Sequence, residues 1–237
     1  MRAVILYVTT IVLVHGAFAE SAIWSRLLDP LAAAGHRAIA AANPLRGLAA
    51  DALAVTDLVR SLEGPVVLVG HAYGGAVITN VDAGDVVALV YVAAFAPDAG
   101  ESCFTLAYQL PGSVLADNLE AVLRADDTTD LSITADAFPA QFAADLPEAV
   151  AARMAATQRP ITREAVLEPS GPHPLWKRVP TRFLIAGQDR LLPAAAQRFM
   201  ADRARARQVV ELPGASHAVT LSEPRATAEL ILEATRA

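Results

Sequence analysis

The chain has 237 residues, of which 54% are hydrophobic and 19% charged, and its formal net charge is −6 at pH 7. This length predicts one domain with ample material for a core. The acidic balance predicts that neither nucleic acid nor a membrane surface is a partner. Cys103 is the one cysteine, which excludes an intrachain disulfide, and we expect a cytoplasmic protein.

The apolar run near the N-terminus predicts a buried strand rather than a signal peptide or a membrane span. A span needs about 20 apolar residues, and this run is shorter. No small-x-small cleavage site precedes His15. We therefore place a strand at Thr10–Val14 and expect Met1–Thr9 to be an extra edge strand or a disordered lead-in.

Short β-branched runs then alternate with helical stretches along most of the chain. This alternation is typical of an α/β fold with a mostly parallel sheet covered by helices on both faces. The further strands that we predict are His36–Ala40, Pro65–Val69, Val86–Val92, Thr181–Ala186 and Gln208–Leu212. The predicted helices between them are Ile23–Ala34, Leu48–Ser61, Tyr73–Val81, Pro193–Ala206 and Ser222–Thr235.

The alternation stops over residues 98–178, which we call the insertion. Helical patterns recur in it at Ser113–Leu123, Ala137–Ala144 and Pro147–Ala156, and interspersed aromatic residues argue against a disordered linker. A long excursion between two core strands is usually functional. We expect a helical lid, inserted before the last two strands, above an α/β core made of residues 1–97 and 179–237.

Four short motifs follow strand ends in the order that a serine hydrolase needs. Acyl transfer requires an oxyanion loop, a nucleophile, an acid and a histidine. The chain supplies them at His15–Phe18, Gly70–Gly75, Gly187–Asp189 and Gly214–His217. Because the carboxyl ends of parallel strands meet at one edge of a sheet, we expect these motifs to converge. The nucleophile position is occupied by Ala72, which has no hydroxyl.

The chain resembles the α/β-hydrolase superfamily from end to end, closest to its small lidded esterases and hydroxynitrile lyases. The segments that carry the resemblance are TIVLVHGAFAESAIW, VVLVGHAYGG, VYVAAFAPDAGES and GQDRLLPAAAQRFM. The resemblance implies an α/β-hydrolase fold that uses no cofactor. It places Ala72 where serine is expected, His217 as the base and Asp189 as the residue that orients it. The backbone N–H groups of Ala17 and Tyr73 would form the oxyanion hole.

Residues beside these motifs divide into substrate contacts and structural supports. Phe18, Tyr73 and Phe95 are the predicted substrate contacts. The residues with a structural interpretation are His15 and His71 as loop supports, Asp98 as a turn residue or fallback orienter, Cys103 as packing, and Asp126–Asp130 as a solvated turn. No metal site is expected, because no glycine or spaced glutamate completes a calcium loop at Asp126–Asp130.

The sequence therefore predicts an acyl hydrolase that acts on a carboxylic ester, thioester or lactone in a small, mainly apolar molecule. We interpret it as a Ser-to-Ala variant at position 72, because a lineage long free of catalysis has little reason to keep a strained turn around an inert methyl group. Two alternatives stay open. One is a natural cofactor-free His–Asp catalyst of lyase, cyclase or oxygenase type. The other is a non-catalytic ligand-binding protein derived from a hydrolase. The oligomeric state is not predicted.

Overall fold

The computed structural model describes residues 8–236 and has a six-stranded parallel sheet at its centre. The expectation for Met1–Thr9 falls mostly on residues 1–7, which lie outside the described residues. The strands, numbered along the chain, are β1 (Thr10–Val14), β2 (Arg37–Ala41), β3 (Val66–His71), β4 (Val86–Val92), β5 (Leu119–Leu123), β6 (Thr129–Ile133), β7 (Ile161–Thr162), β8 (Thr181–Ala186) and β9 (Gln208–Leu212).

Helices cover both faces of this sheet. They are α1 (Ser25–Ala33), α2 (Leu48–Arg60), α3 (Tyr73–Thr79), α4 (Cys103–Tyr108), α5 (Phe138–Phe142), α6 (Glu148–Thr157), α7 (Arg163–Leu167), α8 (Ala194–Arg203), α9 (Val219–Ser222) and α10 (Pro224–Ala234), with 3-10 turns at Ser21–Trp24 and Leu175–Lys177. Within residues 8–236, no helix has the length and apolar character needed to cross a membrane.

The strand order β2-β1-β3-β4-β8-β9 confirms the predicted mostly parallel sheet flanked by helices. Strands β1, β3 and β8 are buried along their whole length, as expected for strands covered on both faces. The chain leaves β1 toward β2 on one side, whereas β3 leads to β4 on the other. The crevice at the carboxyl ends of β1 and β3 is therefore the topological switch point, where open parallel sheets bind ligands.

The insertion contains strands as well as helices, so the expectation of a helical lid is wrong in part. Strands β5, β6 and β7 form an antiparallel sheet, and no helix forms over Ser113–Leu123: its first half is a turn and its second half is β5. The physical reason is a hairpin turn after Leu123. In that turn Asp127 adopts φ 63° and the Arg124 N–H donates to the Thr128 carbonyl at 2.9 Å. The solvated turn predicted at Asp126–Asp130 overlaps this hairpin turn.

Polar contacts join the insertion to the core near the switch point. Arg46 of the core forms an ion pair of 2.6 Å with Asp130 of β6. The Phe18 N–H, in the loop after β1, donates to the Arg159 carbonyl at 3.1 Å. The Glu168 carboxylate accepts from the Leu48 N–H and so caps α2. The insertion is thus fixed to the same loops that carry the predicted motifs.

Candidate active site

Ala72 alone forms the turn between β3 and α3. Its backbone has φ 51° and ψ −122°, a left-handed conformation that L-residues rarely adopt. Strain of this kind costs about 1–3 kcal/mol and persists where surrounding contacts enforce it. Here the Ala72 carbonyl accepts from the N–H groups of Gly75 and Phe95 at 3.0 and 3.1 Å. These hydrogen bonds hold the turn in its strained conformation, although the alanine side chain has no chemical role that needs the strain.

Two glycines allow the turn to approach the neighbouring strands this closely. A Cβ added to Gly74 would collide with the Val14 carbonyl at the end of β1. A Cβ added to Gly16 would lie 2.5 Å from the Ala72 Cβ. The loop after β1 and the turn after β3 are thus in direct contact, which brings the predicted oxyanion loop against position 72.

His217 and Asp189 form a buried pair behind Ala72. The distance from His217 Nδ1 to Asp189 Oδ2 is 2.7 Å, and the two residues are 2% and 6% exposed. The other carboxylate oxygen, Oδ1, accepts from the backbone N–H groups of Leu191 and Leu192, both at 2.9 Å. Because the fixed carboxylate accepts from Nδ1–H, the Nε2 atom is left free to accept a proton from a bound molecule.

The loop that carries His217 is fixed from both sides. The Asp145 carboxylate, in the insertion, accepts from the Ser216 backbone N–H at 2.9 Å and from the Ser216 hydroxyl. His71 Nε2 lies 2.9 Å from the His217 carbonyl oxygen. The Phe142 ring meets the His217 imidazole edge-on, with centroids 4.8 Å apart. These contacts limit the positions that the imidazole can take.

The predicted oxyanion donors belong to two loops that contact each other. The N–H groups of Ala17 and Tyr73 have no hydrogen-bond acceptor among residues 8–236. In the first loop, the His15 ring fixes the backbone: Nδ1 donates to the Gly16 carbonyl at 2.9 Å, and Nε2 accepts from the Asn43 N–H at 3.2 Å. The Asn43 side chain in turn donates to the His15 carbonyl at 2.8 Å. This arrangement requires a neutral His15.

Burial lowers the pKa of His15 from 6.5 to about 4, so we expect the protein to be acid-sensitive. As the pH falls through 6.5, His15 takes up a proton in the unfolded chain but stays neutral in the folded chain. The stabilisation is therefore complete above pH 6.5 and is lost as the pH approaches 4. It amounts to about 3 kcal/mol in all, of which about 2 kcal/mol is lost by pH 5. Burial also holds the pKa of His71 well below its usual range, which acts in the same direction.

Urea unfolding at pH 7 and pH 5 measures this effect. The fall in unfolding free energy between the two values should be smaller in His15→Asn than in the unmodified chain. His173→Asn is the matched control, because His173 is exposed. Equal pH dependence in His15→Asn and in the unmodified chain would contradict the assignment of a buried neutral His15.

The Tyr73 hydroxyl binds within the protein and is not free to contact a substrate. The hydroxyl donates to Asp51 of α2 at 2.8 Å. Burial, followed by the adjacent Asp51 carboxylate, raises the pKa of Tyr73, and burial also raises the pKa of Asp51. The contact anchors the first residue of α3, and with it the Tyr73 N–H.

Two cavities share part of their lining, and the inner one reaches Ala72. The inner one, of about 30 Å³, accommodates about one water-sized group, and it is lined by Ala17, Phe18, Ala72, Tyr73, Phe95, Cys103, Leu115, Ile161, Val166, Leu191 and His217. The outer one has about 380 Å³ and lies within the insertion, with Phe18, Leu115 and Val166 as walls shared with the inner cavity. A molecule bound in both would have one end at Ala72 and His217.

The structure thus brings together the predicted residues around one cavity, with Asp189 directly behind His217. Asp98, the fallback orienter, is instead paired with Lys177. Cys103 lines the cavity, and burial raises the pKa of its thiol, which keeps the thiol neutral. Among residues 8–236, no group of three or more His, Cys, Asp or Glu side chains is placed to hold a metal ion.

Sequence reasoning missed three residues that position this site: Asn43, Asp51 and Asp145. Asn43 follows the end of β2, as the predicted motifs follow β1, β3, β8 and β9, and this placement is a signal that could have found it. Asp51 and Asp145 lie in a helix and in the insertion, and no motif marks them. Their roles depend on contacts between distant segments.

Comparison with known proteins gives the family. The model of the alpha/beta hydrolase family matches residues 11–230. No curated protein gives a match. Among solved structures, polyneuridine aldehyde esterase is similar with a TM-score of 0.81 at 18% identity, over 97% of this chain and 100% of that one.

Two further solved structures have comparable similarity. For a pyrethroid hydrolase from Sphingobium faniae JZ-2, the TM-score is 0.78 at 23% identity, over 98% of both chains. For a variant of tomato methylketone synthase I complexed with β-ketoheptanoate, it is 0.79 at 18% identity, over 98% of this chain and 99% of that one. These similarities show the fold, and the family match covers nearly the whole sequence. The chain belongs to the alpha/beta hydrolase family.

Proposed function

We propose that this chain is an acyl hydrolase whose serine nucleophile has been replaced by Ala72. One observation carries the proposal: Ala72 occupies a strained turn in the same small cavity as His217, whose Nδ1 is 2.7 Å from the buried Asp189 carboxylate. In this proposal Asp189, His217 and the N–H groups of Ala17 and Tyr73 are the other components of a serine hydrolase, around a residue that cannot attack a carbonyl carbon. The hydrolase family and its esterase structures support the same class of reaction.

The mechanism follows from the placement of these groups once Ala72→Ser supplies a hydroxyl. His217 Nε2 takes the hydroxyl proton while the oxygen attacks the carbonyl carbon. The N–H groups of Ala17 and Tyr73 donate to the oxyanion that forms, and Asp189 stabilises the protonated imidazole. His217 then gives the proton to the leaving group. Water attacks the acyl-enzyme by the same route and releases the acid.

The substrate that we propose is a small, mainly apolar ester, thioester or lactone. The outer cavity is lined almost entirely by apolar side chains. Its volume of about 380 Å³ lies at the lower end of the range for small-molecule sites. Two of the three similar structures described above are an esterase and a pyrethroid hydrolase. We infer that the apolar part of the substrate occupies the outer cavity and the scissile carbonyl group the inner one.

We further propose that the replacement at position 72 is engineered. Strain of this kind costs about 1–3 kcal/mol, and without a hydroxyl at position 72 it serves no catalytic purpose. The glycines that permit the turn are nevertheless retained, as are Asp189 and His217. We expect serine at codon 72 in the natural gene. An alanine codon there would contradict this part of the proposal.

A natural His–Asp catalyst is the second candidate. It is favoured by the intact pair beside Ala72 and by the similarity to a methylketone synthase complexed with a β-keto acid. In such an enzyme His217 would transfer a proton without any covalent intermediate, in a lyase reaction. Release of carbon dioxide from β-ketoheptanoate by the unmodified chain, and its loss in His217→Ala, would favour this candidate.

The test of the main proposal is a hydrolysis assay on the chain carrying Ala72→Ser. The panel should contain activated short-chain esters, thioesters and lactones, because the apolar cavity will select among them. We expect turnover of at least one of these classes, with little or none by the unmodified chain. If the folded Ala72→Ser protein is no faster than the unmodified chain on any of the three substrate classes, a serine hydrolase is ruled out.

A further inference from the structure

The outer cavity has one charged wall. Nine of its ten lining residues are apolar, and the tenth is Arg163, at the start of α7. Apolar cavities that bind small molecules usually have a few polar groups that orient the ligand. In this cavity the guanidinium of Arg163 is the group placed to do so.

Arg163 has no internal partner within residues 8–236. Its side chain forms neither an ion pair nor a hydrogen bond there, and it is exposed in the lining of the outer cavity. The acidic residues of the same helix region have other contacts. Glu164 accepts from the Thr129 N–H at 3.3 Å, and Glu168 caps α2. Neither of these carboxylates contacts the Arg163 guanidinium.

We propose that Arg163 binds a carboxylate at the far end of the apolar substrate. This inference rests on the proposed function, because it takes the reacting end of the substrate to lie at Ala72 and His217. An arginine guanidinium pairs with a carboxylate through two parallel N–H donors, which fixes orientation as well as charge. The substrate is then an ester of an apolar acid whose other end is a carboxylate. If Arg163 instead only covers apolar surface with its aliphatic stem, charged and uncharged ligands should bind equally well.

The size of the outer cavity limits the length of the substrate between its ester and its carboxylate. Its volume of about 380 Å³, at the lower end of the range for small-molecule sites, favours a substrate of medium chain length. Because Phe18, Leu115 and Val166 line both cavities, the substrate would pass these residues before its ester reaches Ala72. Half-esters of medium-chain dicarboxylic acids have this form, and monomethyl suberate is a suitable probe.

The test compares the binding of monomethyl suberate and dimethyl suberate to the unmodified chain by calorimetry. The two probes have the same length and differ in the charge of one end. We expect Kd to be about tenfold lower for monomethyl suberate in low salt, and this difference to shrink in 1 M NaCl because Arg163 is exposed. No turnover is needed, so the outcome does not depend on whether the chain is a hydrolase.

Variants identify the group responsible for the preference. Arg163→Gln should abolish the difference between the two probes, and Arg163→Lys should keep part of it. Arg153→Gln is the matched control, because it removes an exposed positive charge from the insertion without altering the cavity wall. Equal affinity of the two probes, no binding of either, or a preference that survives Arg163→Gln would each overturn the proposal.

Discussion

Ala72→Ser is expected to increase kcat for hydrolysis of an activated ester at least about 10³-fold over the unmodified chain. Loss of a triad nucleophile costs up to about 10⁶ in kcat, whereas the oxyanion hole and substrate binding retain part of the rate enhancement. The expected gain is large because the turn at position 72 already has the required φ and ψ, and the His217–Asp189 contact is already 2.7 Å. Steady-state kinetics on a chromogenic ester measures the ratio.

Two controls show whether the gain comes from the proposed mechanism. Ala72→Gly leaves the position without a hydroxyl and should not exceed the unmodified chain. His217→Ala in the Ala72→Ser background should remove most of the gain, because no other residue in the described lining of the inner cavity carries an imidazole or carboxylate to take the hydroxyl proton. A gain that survives His217→Ala would contradict the role of His217 as base.

Asp189→Asn in the Ala72→Ser background is expected to lower kcat by about 10²–10⁴-fold. The Asn oxygen can still accept from the Leu191 and Leu192 N–H groups. The amide nitrogen then faces His217 Nδ1 where Oδ2 accepted at 2.7 Å. It donates to Nδ1 and so favours the tautomer with the proton on Nε2, which cannot act as a base. The readout is kcat, with the melting temperature as a check on folding.

Asp98→Asn is the matched control for this substitution. Asp98 also follows a core strand, but its carboxylate is paired with Lys177 and not with His217. We expect kcat in the same background to change by less than about twofold, because an exposed ion pair contributes little. If Asp98→Asn and Asp189→Asn lowered kcat equally, the assignment of Asp189 as the orienting residue would be wrong.

The parallel sheet and the strand ends were predictable because their signals are local. Short apolar runs rich in β-branched residues placed β1, β4, β8 and β9 at the residues where the structure has them. Each predicted motif directly follows one of the core strands, so the topology alone brings the motifs to one edge. The positions of Ala72, Asp189 and His217 followed from order along the chain.

The insertion was not predictable in the same way. Residues 113–123 have a helix-like apolar pattern, yet β5 forms there because the turn at Asp127 permits pairing with β6. Tertiary pairing overrides local propensity in such short segments. The Asp145 contact with Ser216 joins residues 71 positions apart, and no spacing along the chain indicates it. Arg163 could be recognised as the charged wall of a cavity only once the cavity was known.

The most direct test of the account is intact-protein mass spectrometry after treatment with an alkyl phosphonofluoridate. This reagent loses fluoride to an activated serine hydroxyl and stays attached through phosphorus. We expect one adduct per molecule in Ala72→Ser, mapped by peptide analysis to position 72, and none in the unmodified chain. We also expect labelling to be strongly slowed when His217→Ala is added, because the hydroxyl then lacks its base. A folded Ala72→Ser protein that remains unlabelled, or that is labelled elsewhere, would contradict the claim that position 72 is the place of a catalytic serine.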